Sequence, residues 1–311
     1  MPDSMLVFDR ALVRRHRDRA ARGFDAADFI FKESAARLAD RLLDMVRDFP
    51  LALDLGCHTG QMAETVRGHA QSGTKVGAKI SRLIQCDLSP AMARTASPLA
   101  PTACADEEWL PFAEGAFDLV LSNLSLHWVN DLPGALAQVR RAIKPDGLLL
   151  ATLFGGETLQ ELRIALMEAE TELTGGITPR VSPFVDMREA GGLLGRAGFA
   201  LPVVDTENIT VTYPDIFKLM ADLRAMGETN AVIERGKRAT ARAVFLRAAE
   251  IYRERFSDTR GRLIATFQIV TLTAWVPHAS QQKPLRPGSA KARLADALVT
   301  QEISLGEKAG L

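Results

Sequence analysis

The sequence predicts an α/β fold, a doubly wound sheet of mainly parallel strands flanked by helices. Three observations carry this. Short, near-continuously apolar runs alternate with stretches of helical periodicity along most of the chain. The first run, Leu51-Ala-Leu-Asp-Leu55, breaks at once into Gly56-Cys57-His58-Thr59-Gly60, as a buried strand does when it turns into a helix under a nucleotide-like ligand. Composition permits a large core, since 47% of the 311 residues are apolar.

The elements follow in order. Residues 1–28 are a basic lead-in. Its arginines, Arg10 to Arg22, give it the composition of a mitochondrial presequence, but Asp9 and Asp18 interrupt it and transit peptides are poor in acids. A solvated helix is expected there. From Phe29 to Phe49 apolar residues recur at helical spacing, and Pro50 closes that helix. Leu51 to Leu55 is strand one, with a helix from about Gln61. A polar connector, 71–81, leads to strand two, Arg82 to Cys86, which closes on Asp87. Ser89-Pro90 opens the next helix, serine as cap and proline in the first turn. Strand three is Thr102 to Cys104, and strand four is Phe117 to Ser122. Asn130 or Asp131 caps a helix with Leu132, Leu136, Val139 and Ile143 on one face.

Lys144-Pro145-Asp146-Gly147 is a turn before strand five, Leu148 to Leu153. Gly155-Gly156 breaks that strand, and Thr158 with Glu161 reads as a capping box. Val203 to Thr212 and Leu263 to Trp275 are strands six and seven. Between them, helices at 214–227 and 238–256 are expected to form a lid over about 214–260. The body of the domain is 29–276, and 277–311 is a Pro-, Gln- and Lys-rich tail, expected to be extended.

The balance of 38 basic against 38 acidic residues argues against a dedicated nucleic-acid binder. No run approaches the ~18 apolar residues of a membrane span. Cys57, Cys86 and Cys104 lie far apart, in or beside predicted strands, and are expected to be buried and reduced. No secretory signal is evident.

The ligand follows from the loop chemistry. A nicotinamide site asks for a third glycine after strand one, and here none stands at that place. Asp54 precedes the loop, where a dinucleotide enzyme has no use for an acid. S-adenosylmethionine has no pyrophosphate and carries a sulfonium and an ammonium, so an acid there is tolerable. Asp87 can accept both ribose hydroxyls or cap the following helix, with Leu88 against the adenine. Asp106, after strand three, can accept from the adenine amino group or be a plain loop acid. Trp109 and Phe112 read as loop packing rather than adenine stackers.

Asp54-Leu-Gly with Gly60, then Asp87, Ala105-Asp-Glu-Glu-Trp-Leu-Pro-Phe112, Phe117-Asp-Leu-Val120 and Ile143-Lys-Pro-Asp-Gly147 form an ordered set over about 45–155. The set resembles class I S-adenosylmethionine-dependent methyltransferases. Asn123-Leu-Ser-Leu-His-Trp-Val-Asn-Asp-Leu-Pro133 and Phe154-Gly-Gly-Glu-Thr-Leu-Gln-Glu-Leu162 narrow the resemblance to the branch holding the malonyl-carrier-protein O-methyltransferase and the mitochondrial complex I assembly-factor methyltransferase. Phe8-Asp-Arg10, Val181-Ser-Pro-Phe184, Leu193 to Phe199, Tyr213-Pro and Met226-Gly-Glu-Thr-Asn230 resemble the assembly-factor side. The resemblance implies a Rossmann-like sheet of seven strands with the helical insertion between the last two. It implies S-adenosylmethionine held by Asp54, Gly56, His58, Gly60, Asp87, Leu88, Asp106, Glu107 and Asn123. It also implies an acceptor on a respiratory complex I subunit or an acyl carrier protein. It places the chain in a bacterial cytoplasm, or in the mitochondrial matrix of a eukaryote. Methylation is the implied reaction; arginine hydroxylation, or cofactor binding without turnover, is the alternative.

His58 departs from the family, which has glycine there; its ring would crowd the methionine part of the cofactor. Three residues are candidates for the chemistry. His127 is either a base or a packed ring, Asn123 can meet the methionine carboxylate or the acceptor, and Tyr213 lies in the expected lid. The N-terminal arginines either attract an acidic partner or are solvated. His16-Arg17-Asp18 has the spacing of an iron triad, but residues two apart diverge on a helix, so no metal is expected.

Overall fold

The computed structural model describes residues 6–71, 79–184, 187–237, 239–282, 289 and 294–301. Seven strands form one sheet: β1 (Phe49–Leu55), β2 (Ile80–Asp87), β3 (Thr102–Cys104), β4 (Phe117–Asn123), β5 (Ile143–Phe154), β6 (Ala200–Tyr213) and β7 (Leu263–Trp275). Their order is β3-β2-β1-β4-β5-β7-β6. β1 to β5 run parallel, and β7 lies antiparallel between β5 and β6. The chain winds outward from β1 to β3 and returns at β4 on the other side of β1. The loops after β1 and β4 therefore diverge, which is where such sheets hold ligands.

The apolar runs are continuous because both faces of the sheet are covered. Leu53 and Leu55 of β1 join Val120, Leu149, Leu136 and Val139 in one layer. Ala52 joins Leu119, Leu121, Leu148 and Leu150 in the other, under Leu38 and Leu42 of α2 (Phe29–Leu43). Each fully buried leucine contributes about 2 kcal/mol. A third cluster gathers Phe24, Phe31, Phe154, Leu162, Leu219, Tyr252 and Phe267 beneath the insertion.

The remaining helices are α1 (Arg10–Ala20), α3 (Gln61–Gln71), α4 (Pro90–Ala96), α5 (Leu132–Ala142), α6 (Gln160–Thr174), α7 (Met187–Arg196), α8 (Ile216–Ala225) and α9 (Arg242–Arg255). α8 and α9 are the expected insertion between β6 and β7. Residues 278–311 separate as a second unit, in which Leu294–Ala297 form one helical turn. Among the described residues no helix is long and apolar enough to cross a membrane.

Several local expectations are corrected. α2 stops at Leu43 and β1 already begins at Phe49; Pro50 biases the residue before it toward extended backbone, so strand replaces helix there. Thr158 and Glu161 do not cap α6. The Thr158 hydroxyl donates to Gln268 O, and the Glu161 carboxylate accepts from the Thr266 amide and hydroxyl, so both bind β7 instead. Cys57 and Cys86 are buried, but Cys104 is exposed because β3 is the sheet edge. Most of the polar connector, residues 72–78, lies outside the described residues. The largest correction concerns α1. It is not a solvated helix, since Val13, His16, Arg17 and Ala20 are all buried.

Candidate active site

The loop after β1 needs its glycines. Gly56 has φ +74° and Gly60 φ +102°, and a Cβ on Gly56 would fall 1.9 Å from Ser125 Oγ. The Gly56 and Cys57 amides both donate to Cys86 O, at 2.8 and 2.9 Å, fastening the loop to the end of β2. His58 lies between the glycines at φ +50°, a costly region for a residue with a Cβ. Its ring stacks on Phe24 at 5.6 Å and meets Phe31 edge-on at 4.6 Å. Nε2 lies 3.1 Å from Asn123 O and 3.2 Å from Leu124 O, so that nitrogen carries the proton and donates. Burial, aided by Arg17, depresses the His58 pKa to about 3, and the ring is neutral.

Four acids converge at the carboxyl ends of β1, β2 and β3. Asp54 is fully buried, and neither carboxylate oxygen has a partner. Burial, and then the charge of Asp87, push its pKa to about 8. Asp87 is also fully buried. Oδ1 accepts from the Ser89 amide at 2.7 Å and Oδ2 from the His58 amide at 3.0 Å, while Arg17 Nη1 lies 3.4 Å from both oxygens. Burial raises the Asp87 pKa despite Arg17. Glu107 Oε1 accepts from Arg17 Nη1 at 2.9 Å and from the Ser125 hydroxyl at 2.6 Å, and Oε2 from Arg10 Nη2. Burial opposes its charge, but Arg17 and Arg10 outweigh that and hold it well below the usual range. Asp106 accepts from Arg10 Nη2 at 2.5 Å.

After β4 stands a second constellation. His127 Nε2 donates to Glu228 Oε2 at 3.0 Å, and Trp128 Nε1 donates to the same oxygen at 3.0 Å. Burial opposes the charge on Glu228, but His127 and Arg17 leave its pKa below the ordinary value. His127 Nδ1 is buried without a partner. The ring packs on Phe154 at 4.8 Å and Phe184 at 5.9 Å. Those two phenylalanines, with Leu162, Leu166, Met220 and Phe267, wall a cavity of about 310 Å³ that Glu228 and Trp128 also line. Arg180 and Arg235 reach it as well.

The structure thus gathers Asp54, Gly56, His58, Gly60, Asp87, Asp106 and Glu107 at one rim, with His127 across from them. Asn123 stands between the two, but its amide is committed. Nδ2 donates to Phe31 O at 2.9 Å and Oδ1 accepts from Thr152 Oγ1 at 3.2 Å. Leu88 packs with Phe8, Val13 and Trp128. Tyr213 is apart from the cavity that Trp128 and Glu228 line. It faces another space with Phe29, Lys218 and Asp222, its hydroxyl buried, unpartnered and raised in pKa by burial and by Asp222. Trp109 is largely exposed, and Phe112 packs edge-on against Phe117. His16 and Asp18 point to different partners, Thr229 and Ser89.

This geometry has known counterparts. A family described as "Methyltransferase domain" matches residues 53–151, the stretch from β1 through β5. The mitochondrial arginine-hydroxylase NDUFAF5 of Rattus norvegicus is 44% identical over 99% of this chain and 88% of its own length. The malonyl-[acyl-carrier protein] O-methyltransferase of Methylovorus sp. is 37% identical over 91% and 94%. The chain belongs to the S-adenosylmethionine-dependent methyltransferase family. Among solved structures, the YcgJ protein of Bacillus subtilis matches this methyltransferase with a TM-score of 0.52 at 15% identity, over 78% of this chain and 98% of that one. Phosphoethanolamine N-methyltransferase 2 of Haemonchus contortus, in complex with S-adenosyl-L-methionine, matches with 0.51 at 16% identity, over 86% and 60%. At such identities the likeness is one of fold.

Three participants escaped the sequence reading of the methyltransferase: Arg10, Arg17 and Ser125. Arg10 and Arg17 are seven residues apart, two helical turns, with Val13 between them on the buried face. That spacing was the available signal, and the surrounding arginines masked it. Glu228 was placed only within the stretch Met226 to Asn230.

Proposed function

We propose that this methyltransferase holds S-adenosylmethionine at the rim of Asp54, Gly56, Asp87 and Asp106 and methylates an acceptor presented in the adjoining apolar cavity. The observation that carries the reading is Asp54: a buried carboxyl with two unpartnered oxygens beside a glycine cradle is a place made for a cationic group. When bound, the cofactor supplies a methyl group on a sulfonium: the acceptor's lone pair forms the new bond to carbon as the carbon–sulfur bond breaks and its electrons return to sulfur.

The chain's own residues supply binding, orientation and proton handling. An ammonium beside Asp54 would restore the ionised form that burial disfavours. Asp87 offers its carboxylate to paired hydroxyls, Asp106 to an amino group. His127 is oriented by Glu228: with Nε2–H given to the carboxylate, Nδ1 keeps its lone pair and takes a proton from an acceptor that must lose one. A carboxylate acceptor needs no such step. The apolar walls exclude water from the transfer.

The relatives name two chemistries, arginine hydroxylation and methylation of a carrier-bound malonyl group. We take the acceptor to be a protein side chain, on a respiratory complex I subunit, or an acyl chain on a carrier protein. The test is transfer of an isotopically labelled methyl from S-adenosylmethionine to each of these two acceptors. Label on one of them, lost in Asp87→Ala, supports the proposal. An acceptor arginine that gains one oxygen and no label contradicts it in favour of hydroxylation.

A further inference from the structure

Arg17 stands where the donor has to bind. An ionised carboxylate offers about four acceptor sites. In Asp87 two are taken by the Ser89 and His58 amides, and Arg17 Nη1 lies over both oxygens. Nothing on that carboxylate remains for a pair of hydroxyls. The same guanidinium donates to Glu107 Oε1 and, through Nη2, to Ser125 Oγ at 2.9 Å. Ser125 Oγ in turn is the atom that a Cβ on Gly56 would strike. Arg17 therefore lies across the glycine cradle, from the acid of β2 to the turn after β4. It is 1% exposed, with Asp87 and Glu107 at 0%.

The arrangement is tight but incomplete. Arg17 Nε is buried without a partner, and an unsatisfied buried donor is a standing cost. Asp54 remains unpaired nearby. This arginine bridges two carboxylates and leaves Nε without a partner.

We propose that Arg17 is a built-in competitor of the methyl donor: its guanidinium closes the rim in the free protein and must leave Asp87 before the donor's ribose can be held there. The inference rests on the donor reading given above. The donor affinity measured for the native protein is then the intrinsic affinity reduced by the fraction of molecules in which Arg17 has left. The acids it uncovers form a negative mouth that favours a cationic donor.

Calorimetric titration with S-adenosylhomocysteine, the demethylated product, tests this on the whole chain. Arg17→Met, which keeps the apolar stem and removes the charge, is expected to bind at least fivefold tighter than the native protein. Weaker or unchanged binding by Arg17→Met makes Arg17 a ligand or a bystander and overturns the competitor. Binding by neither protein overturns the donor reading itself, and the competitor with it. Because the variant leaves Asp87 and Glu107 buried without their cation and can lose its fold, a second measurement uses the native protein. In its crystal structure with S-adenosylhomocysteine, Arg17 is expected off Asp87; an Arg17 still bonded to both Asp87 and Glu107 with the ligand in place refutes the proposal.

Discussion

The two halves of the site are built on opposite terms. The proposed donor rim is a set of mostly buried carboxylates bonded to two arginines of the N-terminal helix. The proposed acceptor side is a space of about 310 Å³ walled mainly by apolar side chains, with one carboxylate, Glu228, held by a histidine and a tryptophan. The rim is fixed by backbone: its glycines, its strand ends and the amides that grip Asp87. The cavity is fixed by packing, its walls drawn from β5, the start of α6, the stretch 179–184, α8 and α9.

If the rim is where the ionisation energy lies, pH acts there first. The folded pKa of Asp54, about 8, exceeds its unfolded value. The folded chain then keeps a proton that the unfolded chain has released, so the contribution of Asp54 to stability is greatest below pH 4, falls as pH rises toward 8 and levels off beyond. The loss is on the order of 5 kcal/mol. Comparing denaturant midpoints of the native protein and Asp54→Asn from pH 4 to 9 checks this. The two curves are expected to converge as pH rises toward 8, the difference between them being the Asp54 contribution; parallel curves would move that titration elsewhere.

Glu228→Gln probes the other half. It removes the charge that orients His127 and is expected to lower methyl-transfer kcat about a hundredfold where the acceptor must lose a proton. Affinity for S-adenosylhomocysteine should change far less than kcat, because Glu228 makes no hydrogen bond to the rim and reaches it only through the charge of Arg17. A large loss of that affinity would mean the two halves are one energetic unit.

The smallest effect sharpens the description of the rim. His58→Gly relieves a left-handed residue, worth about 1 kcal/mol, and removes a ring packed on Phe24 and Phe31. Donor affinity should rise a few-fold. Equal calorimetric affinities for the two proteins would show that the ring is no obstacle.

How much of this was legible follows the same division. Asp54 and Gly56 could be placed from sequence because β1 is a local, continuous apolar run; Asp87 and Asp106 could be placed because each follows a short strand in the same alternating order. The parallel order and the insertion between β6 and β7 were legible for the same reason. Arg17 was not, since its partners Asp87 and Glu107 lie 70 and 90 residues away and a helix crowded with arginine reads as solvated. The His127–Glu228 pair spans 101 residues. Thr158 and Glu161 misled for a related reason: a local capping pattern lost to longer-range bonds with β7. Asn123, plausible as a ligand by position, is turned inward by Phe31 and Thr152, contacts that no spacing reveals.

The central claim is that Asp87 and its neighbours hold the sugar of a sulfonium donor. Diffraction from crystals grown with S-adenosylhomocysteine tests it most directly. The account predicts the ribose within hydrogen-bonding distance of the Asp87 carboxylate and the ammonium beside Asp54. A ligand bound elsewhere in the molecule, with Asp54 still unpartnered, would contradict it.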